Sequence, residues 1–212
     1  MTHEEKTLFR EGFKKLKLDL AKHQEEQLEF FLQSMLNENK KFNLTGITDP
    51  REAIIKHLFD SLSISKEINA TSIADIGSGA GFPGVPLAIV KPGTNFFLVE
   101  AKQKKAKFIK SATKELGLLN VVVFGKRSEE VKIKKGVEAI VCRAIGSLDY
   151  FVEKTKHLLS EGGSLYAMKG KLPDDEIKKL PRGWRVAQIK KIDVPYLEAE
   201  RHLIRVLKKN KK

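Results

Sequence analysis

The sequence predicts an α/β fold, an open sandwich built on a mostly parallel β-sheet and preceded by helices. Two observations lead to this prediction. Up to about residue 65 the apolar residues recur at helical spacing, whereas from residue 71 short apolar runs alternate with helical stretches. Strands buried on both faces read as continuous apolar runs, and their alternation with helices indicates βαβ units and a parallel sheet.

Three amphipathic helices are expected before the sheet. The third begins after Thr48-Asp49-Pro50, where a capping residue is followed by a proline suited to the first turn. His57 and Asp60 lie three residues apart on it and can face one another on consecutive turns. We interpret both as structural residues that fasten the helices to the sheet. The apolar positions that define the first two helices are Leu8, Phe9, Phe13 and Leu16, then Leu28, Phe31, Leu32, Met35 and Leu36.

Seven strands and four further helices are expected after residue 71. The first five strands cover 72–76, 96–100, 121–124, 139–142 and 164–168, and the helices cover 83–91, 102–116, 146–159 and 173–180. The last two strands, 184–194 and 202–208, are separated by a linker too short for a helical crossover, which predicts an antiparallel final pair. The expected organisation is a helical extension over 1–66 packed on a core domain over 67–207, with a disordered basic tail over 208–212.

The charge of the chain favours a polyanionic partner. Its 40 Lys and Arg exceed its 27 Asp and Glu, for a formal net charge of +13. Each phosphate that such a surface neutralises releases counterions and adds sequence-independent affinity, which favours nucleic acid. The alternatives are a lysine-rich solvated surface or a protein from a hot environment.

Composition also limits the compartment and the site chemistry. A single cysteine, Cys142, allows no disulfide and no cysteine metal site within one chain, which is typical of a reducing cytoplasm. The sequence contains no apolar stretch of about 18 residues and its start lacks the apolar core of a signal peptide. We therefore expect a cytoplasmic protein that neither spans a membrane nor is secreted.

The turn after the first strand is the predicted ligand site, because open α/β sheets bind ligands at the carboxyl ends of their strands. It spans residues 75–84, and its glycines at 77, 79 and 81 permit positive φ angles and close approach of a ligand to the backbone. A dinucleotide fingerprint would require glycine where Phe82 stands. The acidic residue followed by G-x-G-x-G instead resembles the first motif of class I (Rossmann-like) S-adenosylmethionine-dependent methyltransferases. The alternative is that these glycines serve only to form the turn between a strand and a helix.

Glu100 strengthens the interpretation of an adenosyl ligand. It ends the second strand, 23 residues after Gly77, where a carboxylate accepts from both hydroxyls of a ribose. Taken alone, a glutamate at a strand end is usually solvated, and this feature would also suit NAD. The combination of this spacing with the turn favours S-adenosylmethionine.

Three segments together identify a family resemblance. Asn43-Leu44-Thr45, then residues 57–61 (HLFDS), then the turn with Pro83 and Pro86 resemble the bacterial small-subunit ribosomal RNA methyltransferase G family, also called glucose-inhibited division protein B. The resemblance runs from about residue 37 to 207 and includes three further matches: Cys142-Arg143-Ala144, Met168-Lys169-Gly170 and Glu200-Arg201-His202.

The resemblance implies methyl transfer from S-adenosylmethionine to N7 of a guanine in small-subunit rRNA. Asp75 would lie beside the cationic methionine end, Glu100 would hold the ribose, and Ser128 with Glu129 would lie near the adenine, although these two could equally be a helix cap. No metal is expected. The residues implied to bind the cofactor are Asp75, Gly77, Ser78, Gly79, Phe82, Glu100, Ser128, Glu129 and Arg143.

Guanine N7 carries a lone pair and no proton, so its attack on a methyl group needs no general base, and positioning should dominate. The adjacent O6 and N7 acceptors can be read by Arg or Lys, and our candidates for orienting the guanine or holding phosphate are Arg143, Lys169 and Arg201.

Missing motifs argue against other methylation reactions. The sequence has no Asn-Pro-Pro-aromatic motif of the kind used to methylate exocyclic amines. Cys142 has no preceding proline and is interpreted as a packing residue rather than a C5 nucleophile.

The helix after Glu100 is rich in lysine, and Lys102, Lys104 and Lys105 are our candidates for rRNA phosphate contacts. A solvated helix face is the alternative.

The expected partner is small-subunit rRNA or a ribosomal particle, bound by a monomer. Competing hypotheses are a small-metabolite methyltransferase of the same fold and a non-enzymatic RNA-binding assembly factor, while Phe82 argues against an NAD oxidoreductase.

Overall fold

A computed structural model describes residues 1–144 and 146–209 of the chain. Within them the sheet has seven strands in the order β3-β2-β1-β4-β5-β7-β6. The strands are β1 Ser72–Ile76, β2 Asn95–Val99, β3 Val121–Phe124, β4 Val137–Arg143, β5 Leu159–Lys169, β6 Trp184–Lys191 and β7 His202–Lys208.

Strand directions confirm the predicted fold class. The β1–β2, β1–β4, β2–β3 and β4–β5 pairs are parallel, whereas β7 runs antiparallel to both β5 and β6. The first five strands therefore end along one side of the sheet, called the carboxyl edge from here on. Ligands of open α/β sheets bind at this edge. Its strands end at Ile76, Val99, Phe124, Arg143 and Lys169.

Four helices follow the strands close to the predicted places. They are α5 Gly84–Val90, α6 Gln103–Glu115, α7 Leu148–Thr155 and α8 Asp174–Lys178. The helix predicted over 146–159 ends earlier, in a 3-10 turn over Lys156–Leu158, because β5 already begins at Leu159 and pairs there with Val137. Pairing with the neighbouring strand prevents the helical pattern from continuing.

The N-terminal segment is helical, as predicted. Its elements are α1 His3–Lys15, α2 Lys22–Asn39, α3 Pro50–Ala53 and α4 Asp60–Leu62. The side chain of Asp49 accepts from the Glu52 N–H, so the predicted start of the third helix is correct. Between α3 and α4 the chain forms a π-helical turn, Ile54–Phe59, which the sequence did not indicate. Such turns alter the direction of the side chains that follow and are frequent at functional sites.

Apolar side chains pack on both faces of the sheet. The first cluster joins the N-terminal helices to the sheet and contains the buried rings of Phe31, Phe59 and Phe96. The second cluster packs α7 on the opposite face around Phe151. Full burial of one such side chain stabilises the fold by roughly 1.5–3 kcal/mol. The N-terminal helices are thus held against the sheet by a shared core, which positions them beside the carboxyl edge.

The last strand ends where the predicted basic tail begins. β7 continues through Lys208, which pairs with Trp184, and the Lys209 N–H donates to the Gly183 carbonyl at 2.7 Å. Lys208, which the sequence placed in both the last strand and the tail, therefore belongs to the strand. The remainder of that prediction, residues 210–212, lies outside the described residues.

Candidate active site

The glycine turn between β1 and α5 is anchored at its base and open above it. The Gly77 and Ser78 N–H groups both donate to the Val99 carbonyl, at 2.8 and 3.1 Å, which ties the turn to the end of β2. Gly77 has a φ of 72°, and a Cβ added there would meet nothing within 4 Å. The backbone therefore presents an uncovered surface at the position where a side chain would project.

Glu100 contacts this turn directly. Its carboxylate is buried, with Oε2 accepting from the Gly79 N–H at 2.8 Å and Oε1 accepting from the Lys102 N–H at 2.7 Å. An ionised carboxylate has about four acceptor positions, so two remain for a ligand. The two sequence features that pointed to an adenosyl ligand therefore lie together.

Asp75 lies beneath the turn and is completely buried. Its Oδ2 accepts from the Gly84 N–H at 2.9 Å, whereas its Oδ1 is a buried side-chain oxygen without a hydrogen-bond partner among the described residues. Loss of hydration raises the pKa of Asp75 from 3.8 to about 7. A Cβ on Gly84 would lie 2.7 Å from Oδ2, so the close approach requires glycine there.

Phe82, at the end of the glycine turn, is buried against the N-terminal helices. Its buried ring stacks on the His57 imidazole, with centroids 4.8 Å apart and planes inclined by 16°, and also contacts Phe31 at 5.1 Å between centroids. The Arg143 guanidinium carbon lies 5.7 Å from the ring centroid. The turn and the N-terminal helices therefore meet at Phe82.

Two arginines share one buried carboxylate at the carboxyl edge. Asp60 accepts from Arg143 Nη1 at 3.2 Å through Oδ2 and from Arg201 Nε at 2.9 Å through Oδ1. Arg143 Nη1 also donates to the Lys56 carbonyl at 3.0 Å. We call Thr45, His57, Asp60, Arg143 and Arg201 the arginine cluster. Two cations held by one anion leave this part of the site with a positive charge.

The contacts of His57 define its protonation. Arg143 Nη2 lies 3.1 Å from His57 Nδ1, and because a guanidinium can only donate, Nδ1 must accept. The proton therefore belongs on Nε2, which lies 2.8 Å from Thr45 Oγ1. Burial, followed by the charge of Arg143, lowers the pKa of His57 from 6.5 to about 3. Both ring nitrogens of this neutral histidine are thus engaged within the protein.

Lys169 is separate from the arginine cluster. Its Nζ donates to the Gly146 carbonyl and to Glu176 Oε2 at 2.8 Å, and the same oxygen accepts from the Leu148 N–H at 2.9 Å. The lysine thereby joins the end of β5 to the loop after β4 and to α8. This loop belongs to the same edge as Arg143.

Ser78 faces into the protein. Its buried hydroxyl donates to the Asp75 carbonyl at 3.0 Å, and its N–H is already bound to β2, so the side chain braces the turn.

Ser128 and Glu129 lie in a 3-10 turn after β3, where Lys154 pairs with Glu129 at 2.7 Å. The pKa of Glu129 is lowered to about 2, mainly by the hydrogen bond from Lys154.

The three lysines predicted to bind RNA begin α6 or immediately precede it. Lys102 and Lys104 are exposed, whereas Lys105 is partly buried and its Nζ donates to the Leu44 carbonyl at 2.6 Å. Lys105 therefore links α6 to the loop that carries Thr45. This contact gives it a structural role alongside any contact with RNA.

Sequence reasoning missed the residue that shapes this loop, Asn39. Its Oδ1 accepts from the Leu44 and Thr45 N–H groups at 2.8 and 2.9 Å, and its Nδ2 donates to the Ile47 carbonyl at 3.3 Å. Its burial at the last position of α2, which requires hydrogen-bond partners, is visible only in the structure. Asn39 thereby places Thr45 against His57.

The structure gives two observations on metals and membranes. No group of three or more His, Cys, Asp or Glu side chains in the described part of the chain is arranged to hold a metal ion. None of the helices in 1–144 and 146–209 is both long and apolar enough to cross a bilayer. Cys142 is buried within β4.

Comparison with known proteins places these features in one family. Residues 24–204 match the family described as rRNA small subunit methyltransferase G. Ribosomal RNA small subunit methyltransferase G of Azoarcus sp. (strain BH72) is 45% identical over 195 residues, which cover 92% of each chain. The protein of that name in Enterobacter sp. (strain 638) is 38% identical, with 91% of this chain and 93% of that one covered.

A solved structure shows the same fold at low identity. It is a SAM-dependent methyltransferase from Aquifex aeolicus, with a TM-score of 0.58 and 18% identity, covering 81% of this chain and 97% of that one. On the evidence of the match over 24–204 and of these relatives, the chain belongs to the rRNA small subunit methyltransferase G family.

Proposed function

We propose that this protein transfers a methyl group from S-adenosylmethionine to N7 of a guanine in small-subunit ribosomal RNA. The observation that carries the proposal is the contact of Glu100 with the glycine turn, in a chain whose family is described as rRNA small subunit methyltransferase G. Relatives named for the small subunit support the choice of RNA, as does the net charge of +13.

The residues of the turn fit an adenosyl cofactor. Gly77 leaves open space where a side chain would project, and the remaining acceptor positions of Glu100 suit the two hydroxyls of a ribose. When bound, S-adenosylmethionine would supply an electrophilic methyl group. Gly77 and Gly79 would allow its close approach, with Ser78 bracing the turn and Ser128 and Glu129 proposed for the adenine end.

Asp75 would act through its charge rather than by direct contact. Its carboxylate is completely buried, so a ligand above the turn does not reach it without movement of the backbone. The uncompensated Oδ1 nevertheless makes the region above it favourable for a cation. This fits the proposed position of the cationic methionine end of the cofactor.

The arginine cluster is proposed to orient the guanine. N7 must keep its lone pair for the attack, so a cation suits the neighbouring O6 or a phosphate rather than N7 itself. Arg143 uses three of its five N–H groups on Lys56, His57 and Asp60, which leaves donors for such a contact. Arg201, held by the same carboxylate, and Lys169 at the neighbouring strand end are the other candidates.

No residue is required to remove a proton, because N7 of guanine carries none. His57 has both ring nitrogens engaged, so its proposed role is to hold Phe82 and Arg143 in position. Placing the nucleophile and the methyl group within reach of each other would then supply much of the rate enhancement. We extend this role to residues 1–66, a helical extension that contributes Thr45, His57 and Asp60 to a core domain over 67–207.

The test is methyl transfer to rRNA taken from cells that lack the endogenous enzyme. The purified protein and S-adenosylmethionine with a labelled methyl group should yield 7-methylguanosine at one position, mapped by mass spectrometry. The matched control is rRNA from cells that have the enzyme, which should accept little label because its site is already modified.

Two results would contradict the proposal. A protein that binds S-adenosylmethionine but labels only small molecules, independently of salt, would be a metabolite methyltransferase. A protein that shows no binding of S-adenosylmethionine by calorimetry but still binds rRNA would be a non-enzymatic assembly factor. Size-exclusion chromatography with light scattering would test the proposed monomer.

A further inference from the structure

A cleft of about 660 Å³ lies between α2 and α6, next to the proposed site. Its volume falls in the range of roughly 300–1,000 Å³ that is usual for ligand sites. Both helices contribute to its walls, and none of its lining residues belongs to the glycine turn or the arginine cluster. The lining residues used below are Glu38, Lys41, Phe42, Lys104, Lys107 and Glu115.

Two hydrogen bonds define how the cleft is oriented. Gln27 near the start of α2 donates to the Leu116 carbonyl just past the end of α6, at 2.8 Å. Lys105 near the start of α6 donates to the Leu44 carbonyl beyond the end of α2. The helices therefore run in opposite directions, and the end of the cleft near Lys104 lies at the carboxyl edge, because α6 begins just after Glu100.

The charges along the cleft are unevenly distributed. The Lys104 and Lys107 side chains are exposed, and their ammonium groups make no hydrogen bond or ion pair with any residue in the described ranges. Lys41 is paired with Glu38 at 2.8 Å. Glu115 accepts from Ser111 at 2.8 Å on the last turn of α6, away from the carboxyl edge. The unpaired cations thus occupy the end nearest the proposed active site.

An aromatic ring lies at this same end. Phe42, partly buried, lines the cleft two residues before Leu44, whose carbonyl is bound by Lys105. A groove that combines cations for the backbone with an aromatic face for a base is the usual arrangement for binding single-stranded nucleic acid. The charge and the ring therefore point to the same class of ligand.

We propose that this cleft binds a single-stranded segment of rRNA flanking the target guanine, with Lys104 and Lys107 on phosphates and Phe42 against a base. The inference rests on the proposed function and adds a second contact region, formed in part by α2. It predicts that the N-terminal segment, through Phe42 in the loop after α2, takes part in recognising the substrate as well as in supporting the site.

Charge reversal tests the phosphate contacts. We compare K104E/K107E with K134E/K135E, a control with the same change in net charge at exposed lysines just before β4, on the opposite edge of the sheet. Filter binding to small-subunit rRNA transcribed in vitro is measured across a salt series. The cleft variant should bind at least tenfold more weakly, and its slope of log affinity against log salt should be smaller by about 1.4. Equal effects of both variants would overturn the inference.

A second pair of variants tests the base contact without charge. Phe42→Leu keeps an apolar side chain but removes the ring, and Phe30→Leu does the same at an exposed ring of α2 that does not line the cleft. Phe42→Leu should weaken rRNA binding about 5- to 150-fold, as expected for one lost base stack, with Phe30→Leu close to wild type. Thermal midpoints report on folding, because the Phe42 ring also packs against the apolar core. The affinity for S-adenosylmethionine, expected to be unchanged, reports on the cofactor site.

The same preparations distinguish this inference from the proposed function. If the wild type methylates rRNA and the cleft variants bind like their controls, the inference fails and the proposed function stands. If the cleft variants lose rRNA binding but the wild type transfers no methyl group, only the proposed function fails. Salt-independent or absent rRNA binding by the wild type would overturn the inference regardless of transfer.

Discussion

The His57 imidazole lies face to face with the Phe82 ring, 4.8 Å between centroids. One residue belongs to the π-helical turn of the N-terminal segment and the other to the glycine turn of the sheet. Because Arg143 contacts both rings, the N-terminal helices and the carboxyl edge form one arrangement. Substitutions that move the N-terminal helices should therefore also move Phe82 and Arg143, through their contacts with His57.

Gly77→Ala should weaken S-adenosylmethionine binding at least tenfold, because the new methyl group would project into the space proposed for the cofactor. The matched control is Gly117→Ala, since Gly117 has a φ of 66° and equally open surroundings beyond the end of α6. Both variants should lose about 1–2 kcal/mol of stability from the left-handed backbone conformation. Calorimetry and urea denaturation measure the two effects, and equal cofactor affinity in both variants would refute the placement.

Asp60→Asn should lower the free energy of unfolding by about 3 kcal/mol, because it removes the buried charge that both Arg143 and Arg201 require. The control Glu67→Gln breaks a surface pair with Lys190 at 2.7 Å and should cost at most about 1 kcal/mol. Urea denaturation compares the two. Similar losses would show that the arginine cluster is no more important to stability than a surface pair.

His57→Gln should change how stability depends on pH. The unfolded chain protonates His57 below about pH 6.5, whereas the folded chain resists protonation until about pH 3, so acid favours unfolding of the wild type. Relative to wild type, the variant should gain about 1.4 kcal/mol per pH unit as pH falls below 6.5, levelling off near pH 3. Parallel stability curves for the two proteins between pH 6.5 and 4 would contradict a buried neutral histidine.

Asp75→Asn should remove a pH dependence from cofactor binding. Burial raises the pKa of Asp75 to about 7, and a cationic ligand above the turn favours the ionised form. Wild-type affinity for S-adenosylmethionine should therefore rise about tenfold from pH 6 to pH 8, with release of a proton on binding. Calorimetry in buffers of different ionisation enthalpy detects that proton. An unchanged pH dependence in the variant would exclude Asp75 as its source.

Local patterns were sufficient for much of the fold. The strands and most helix positions follow from apolar periodicity, and the Asp49-Pro50 start of the third helix follows from capping chemistry. Glu100 was placed at the ligand site from its position at the end of the second strand, 23 residues after Gly77. The parallel pairing of β1 and β2 brings it to the turn, because both strands end at the carboxyl edge. Most other site residues proposed from the sequence also lie at this edge because they follow the ends of parallel strands, whereas Arg201 lies there because it precedes the antiparallel strand β7.

Other features depended on contacts that no local pattern encodes. Asp60 bonds Arg143 and Arg201, which are 83 and 141 residues away in the chain. The π-helical turn, the contact between Asn39 and the loop over 43–48, and the cleft between α2 and α6 likewise arise from the packing of helices on the sheet. Periodicity identifies which face of a helix is buried but leaves open which residue it meets.

The sequence by itself determined the fold class, the glycine turn and the family, because these depend on short-range backbone preferences and on motifs readable within a few residues. Tertiary structure alone decided the partners of Asp60, the tautomer of His57 and the burial of Asp75. Hydrogen bonding and loss of hydration depend on which distant side chains the topology brings together, and the free energy of a buried charge follows from those surroundings.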